Sequence, residues 1–217
     1  MLPMFYQPEG SMDKVLRLGD VVRGYIAPST KIRQPFLSFE SSVNHNYDIS
    51  INVPQFSVVL TPCCSIGDSM VCLTPLIPLR VDFLKNQYFV EDFTRINREI
   101  EPQKVFPPEE WQGFPPEKKQ GILAKKNPYT LLYLFVYEPH QLFPFYELRK
   151  QPIGYRMIDF RNIQTLRCDL IRNRDKTQEE ETPILESKCL QLSGEAREEL
   201  RNKLSYYYGR PVEAELG

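Results

Sequence analysis

Histidine is nearly absent from this chain of 217 residues, which holds 2, and tryptophan occurs once. Two histidines, His45 and His140, leave few candidates for a general base near neutral pH, and neither has a motif around it. Long apolar runs are lacking too. No window approaches the ~18 consecutive apolar residues of a membrane span, and no basic segment followed by an apolar stretch opens the chain as a secretion signal would. A soluble cytoplasmic protein with no membrane partner is the expectation. Charge of one sign is also missing. A net charge of −1 argues against a domain that coats nucleic acid electrostatically, so only a local basic patch would serve such a partner.

Glycine is scarce against proline, 10 residues against 19, and proline removes a donor and sets φ, which excludes long uninterrupted helices over most of the chain. The 5 cysteines are an odd number and fit reduced thiols. What is present is ordinary globular material, 41% hydrophobic and 25% charged, enough for a real core in one elaborated domain spanning 1–217.

Along the chain, residues 1–13 show no period and read as a loose leader. "VLRLGDVVRGYIAP" alternates around Gly19-Asp20 and predicts a strand near 20–27, followed by a polar loop over 29–50. "QFSVVLTP" is a β-branched run that predicts a central strand at 56–61, and "VCLTPLIPL" its hairpin partner at 70–77, interrupted by Pro75 and Pro78. Residues 82–127 read as a helical insertion of two or three short pieces, two of them opening on Pro-Pro-Glu, which suits a first helical turn. Strands follow near 130–137 and 155–168, then a charged loop over 172–183. The last element is a helix near 194–208, with Ser193 as N-cap, a stripe of Ala196, Leu200, Leu204 and Tyr207, and Gly209 as the residue that ends it.

Several candidate sites compete with simpler readings. Cys63 and Cys64 are adjacent, so in a strand they point to opposite faces and cannot readily share one metal; Cys72, on the opposite strand of the hairpin, is placed to face one of them. A thiol nucleophile at Cys64 beside Asp68 would need a base, so packing is the preferred role, with no metal, cofactor or catalytic residue assigned. Arg23, Tyr25, Lys31 and Arg33, near Phe36, alternate cations with aromatics and form a candidate nucleic-acid groove, weighed against a solvated strand face. "RCDLIRNRDK" is diluted by Asp169 and Asp175 and reads as a solvated loop. Trp111, Phe114 and the run Tyr206, Tyr207, Tyr208 form a candidate protein-partner interface: three consecutive helical tyrosines cannot all face one core.

"LGDVVRGYIAP", "SVVLTP" and "VCLTPLIP" resemble, in order, the first three core strands of MazF/PemK-type toxins, over residues 18–79, and the terminal helix resembles that family's layout. The resemblance implies an α+β fold built on a twisted, antiparallel SH3-like barrel, and, in many members, a dimeric sequence-specific endoribonuclease. That chemistry rests on an Arg entering the second core strand and a Thr just after the third, where charge on the phosphate is stabilised. Gln55 and Phe56 stand at the first position and Leu76 and Ile77 at the second. The residues therefore point away from cleavage. The chain as a whole also resembles small bacterial proteins with a "VVLT-x-x-C" strand that travel with phage-defence genes, including accessory proteins of CRISPR systems with a guide-activated protease. That resemblance implies an adaptor whose partners are proteins of the same system, with endoribonuclease or a non-cleaving nucleic-acid binder as the alternatives.

Overall fold

The structure, a computed structural model, describes residues 4–13, 15–23, 54–61, 70–79, 86–124, 131–148, 150–167 and 188–209. It is a mixed α+β chain with antiparallel sheets. β1 (Val21–Arg23), β2 (Phe56–Val59) and β3 (Met70–Pro75) lie side by side, and the β2–β3 hairpin stands where the sequence predicts it, pairing Val58 with Thr74. β3 continues past Leu76 into β4 (Ile77–Pro78), which belongs to a second sheet. Pro75 offers no ladder donor, Leu76 N–H still donates to the Phe56 carbonyl at 3.0 Å, and from Ile77 the strand pairs with the second sheet instead.

The second sheet is β4, then β8 (Arg156–Asp159), then β5 (Leu134–Tyr137). β8 in turn leads into β9 (Gln164–Arg167), which returns to the first sheet beside β3, and β10 (Lys188–Leu190) closes that sheet's other edge on β1. The stretch 155–168 is thus two strands, not one. Asp159 breaks it, because its carboxylate accepts from the Arg161 backbone N–H at 3.0 Å while its carbonyl accepts from Asn162 at 2.9 Å, making a turn. A separate ribbon, β6 (Tyr146–Leu148) with β7 (Gln151–Ile153), and β10 itself were not expected. The ribbon's connection holds Lys150 at φ 64 and has no glycine, so it lacks the usual hairpin signal.

The period of two places the cores. Phe56, Val58 and Leu60 from one sheet meet Phe135, Tyr137 and Ile158 from the other, while Val59, Val71 and Leu73 pack with Leu16 on the outer face of the first sheet. Leu134, Val136 and Met157, on the far face of the second sheet, pack under the helical insertion. The Tyr137 hydroxyl crosses the main core to donate to the Gly19 carbonyl at 3.1 Å. Gly19 sits at φ +87, and a Cβ there would stand 3.0 Å from Leu200 Cδ2, so the turn requires glycine.

The expected loose leader is instead built in over its described part. Phe5 is buried in the main core, its carbonyl accepts from Ser193 N–H at 2.9 Å, and the Tyr6 hydroxyl donates to the Glu138 carbonyl at 2.6 Å. Two aromatics in succession offer enough apolar area to hold the segment down. The insertion comprises α1 (Gln87–Glu91), 3-10 turns at Phe93–Asn97 and Pro102–Val105, α2 (Pro108–Gly113) and α3 (Pro116–Ala124). Both Pro-Pro-Glu starts open helices as the spacing predicts. α4 (Gly194–Gly209) is capped by Ser193, whose hydroxyl accepts from Ala196 N–H at 3.2 Å. Gly209 remains the last helical residue rather than a left-handed residue beyond the end, since it has no positive φ. The charged loop over 172–183 lies outside the described residues.

Candidate functional site

Asn86 organises the concave side of the insertion. Its side chain caps α1 by accepting from Tyr88 N–H at 3.0 Å, and its amide donates to the carbonyls of Lys104 and Val105 at 3.2 and 2.8 Å. One buried side chain thereby ties α1 to the second 3-10 turn. Immediately after that turn, Phe106 stacks on Trp111 of α2, with ring centres 6.0 Å apart at 22°, and Phe114 meets both edge-on at 5.1 and 6.0 Å. The Lys118 ammonium of α3 lies 3.5 Å above the Phe114 ring.

Between these elements runs a groove of about 390 Å³, lined by Tyr88, Phe106, Pro108 and Trp111 among others. All three of its aromatic residues are half-buried. Its charges are spoken for. Arg95 donates to Glu91 at 2.8 Å and lies 4.5 Å over the Tyr88 ring, while Glu101 takes Lys104 at 3.4 Å and Gln103 at 2.7 Å. Those two partners hold the Glu101 carboxyl below its usual range. Apolar floor and internally paired rim together describe a surface suited to uncharged chemistry.

Of the residues chosen from the sequence, Trp111 and Phe114 come together in this cluster, and Trp111 lines the groove. Tyr88, Phe106 and Pro108 were missed, although Phe106 precedes Trp111 by five residues, across the Pro-Pro pair that opens α2. The tyrosine run lies elsewhere. Tyr207 packs on Phe160 at 5.6 Å against the main core, and Tyr208 is 63% exposed, so one ring does look outward. No described ring contact joins Tyr206, Tyr207 or Tyr208 to Trp111 or Phe114.

Arg23 is exposed at the end of β1, 5.7 Å from the Phe56 ring; Tyr25, Lys31 and Arg33 lie outside the described residues. So do Cys63 and Cys64. Cys72 is half-buried, 3.6 Å from the Thr165 hydroxyl, and Cys189 donates to the Val21 carbonyl at 3.3 Å. Burial pushes the Cys189 thiol up, which keeps it protonated and weakly nucleophilic. His140 is wedged edge-on between Tyr6 and Phe143, its Nδ1 accepts from Leu142 N–H at 3.2 Å, and burial lowers its pKa. It serves the packing of that corner. Among the described residues no group of three His, Cys, Asp or Glu converges to hold a metal ion. No described helix is long and apolar enough to cross a membrane.

At the positions where the toxin resemblance calls for Arg and Thr, Gln55 is exposed, Phe56 and Leu76 are buried, and Ile77 is half-buried. None of the four offers a cation or a hydroxyl. Set against known proteins, the chain matches no family model, no curated protein and no solved structure.

Proposed function

We propose that this protein is a non-catalytic adaptor that docks a partner protein on the groove of its helical insertion. The observation that carries the reading is the stacked Phe106–Trp111 pair, half-buried beside an apolar groove whose rim charges are already paired. Aromatic anchors in such settings carry most of the energy of protein interfaces. The scaffold reads as an opened form of the PemK-like barrel: β3 runs into β4 and β8 into β9, so the two sheets share strands at their corner. The whole-chain resemblance makes proteins of a phage-defence, CRISPR-associated system the proposed partners.

The test is co-purification of the tagged protein with the products of its neighbouring genes, washed at high salt. An interface held by burial, at about 1,200–2,000 Å², survives those washes. Trp111→Ala is expected to weaken the complex about 30-fold or more, the cost of losing a central aromatic anchor. Recovery of RNA or DNA alone, lost as salt rises, would replace this reading with a nucleic-acid groove at Arg23.

A further inference from the structure

We infer that Arg156 is the centre of a binding site for a single carboxylate carried on an apolar group. The site is separate from the groove and stands without it. Arg156 opens β8, paired with Tyr137 of β5 and Pro78 of β4, and only 6% of the residue is exposed. A cation this deep is ordinarily matched by a carboxylate. Arg156 has none among the described residues. Its Nη2 donates to the Pro144 carbonyl, and the guanidinium carbon lies 4.9 Å over the Tyr146 ring. Burial lowers its pKa, opposed by Tyr146 and by no acidic side chain.

The guanidinium is held in place with donors left over. The Tyr146 hydroxyl accepts from Leu79 N–H at 2.8 Å and donates to the Tyr155 carbonyl at 3.1 Å, which fixes the ring under the cation. A guanidinium stacked on a ring keeps its N–H edge in plane, the geometry that takes a carboxylate through two parallel bonds. Arg156 Nε and Nη1 have no partner among the described residues, and neither is sealed from solvent, so both reach the surface. The neighbours select the ligand. Pro144 and Phe145 are exposed, and the Phe145 ring lies over Gly154, where a Cβ would stand 3.1 Å from it. One cation beside prolines and aromatics matches one negative charge on an apolar body, whereas phosphate groups are recognised by clusters of cations.

The test is calorimetric titration of the full chain with four probes: phenylacetate, the acid N-acetyl-Ala-Phe, its C-terminal amide, and inorganic phosphate. Saturable binding of the two acids is expected, with the amide about tenfold weaker or worse and phosphate weaker than either acid. Comparable affinity for both acids supports a free carboxylic acid as the ligand, and preference for the dipeptide supports a chain end. Arg156→Lys keeps the charge and removes the fork, and is expected to weaken acid binding about tenfold. Phe145→Ala, at a position 69% exposed, is expected to weaken it about fivefold with the urea midpoint unchanged. Equal binding of acid and amide overturns the inference, and so does tighter binding of phosphate. Absence of saturable binding of either acid to the folded parent protein overturns it too, as does acid binding that Arg156→Lys leaves unchanged.

Discussion

Lys203, fully buried on α4, donates from its ammonium to the carbonyl of Ile96 in the 3-10 turn Phe93–Asn97. This contact pins the terminal helix to the insertion that carries the groove, and the Arg98–Glu199 pair at 2.8 Å repeats the link at the surface. Burial is the main force on Lys203 and lowers its pKa to about 7, with Glu199 opposing it. Between pH 7 and the ordinary lysine value the unfolded chain holds a proton that the folded chain does not. Stability therefore rises with pH across that window, by up to about 1.4 kcal/mol per unit, and the full penalty is present below pH 7. Urea midpoints from pH 7 to 9.5 should rise in the parent protein relative to Lys203→Met, so that the difference between the two narrows as pH climbs.

Lys188 gathers the start of the chain around itself. Its ammonium lies 2.7 Å from Asp20, whose carboxyl burial pushes up, and 2.8–3.1 Å from Gln191 Oε1 and the carbonyls of Val15 and Asp13. Asp20 Oδ1 already lacks a partner among the described residues. Lys188→Met is expected to cost about 3–5 kcal/mol by leaving that carboxylate buried and uncompensated, and adding Asp20→Asn should recover part of the loss. Chemical denaturation of the single and double variants measures both.

Asn97 acts as a surrogate strand. Its amide donates to the Val136 carbonyl and accepts from the Val136 N–H, both at 2.7 Å, which closes the outer edge of β5. Asn97→Leu orphans two buried backbone groups, at about 1–3 kcal/mol each, and bares an edge that can pair with another chain. A lowered unfolding midpoint with a rise in light scattering on warming is the expected result.

No RNA cleavage is expected. With Gln55, Phe56, Leu76 and Ile77 at the positions the toxin resemblance singles out, nothing there stabilises charge on a phosphate or positions it. A long single-stranded RNA incubated with the protein, in EDTA or in magnesium, should remain intact by gel. Discrete fragments that vanish in Arg23→Ala would overturn this and move attention to β1.

Elements with local causes were readable from the residues alone. The 56–77 hairpin follows from β-branched alternation, the α2 and α3 starts from Pro-Pro-Glu, and α4 from Ser193 with a four-residue apolar stripe. Lys203 also left a signal, since it falls three residues after Leu200 and four before Tyr207, inside the buried stripe. Of the site, Trp111 and Phe114 were legible as surplus aromatics near prolines. Tyr88 was not, because its place in the groove that Trp111 also lines depends on one Asn86 amide reaching carbonyls 18 and 19 residues away.

The sequence by itself determined where short-range order would form, because capping, alternation and proline act within a few bonds. Tertiary structure alone decided the rest. Phe5 enters the core, Lys188 finds Asp20 across most of the chain, and a bent strand at Leu76 feeds two sheets. Each depends on which surfaces are buried together, and burial sums over residues distant in the chain, so no local pattern encodes it.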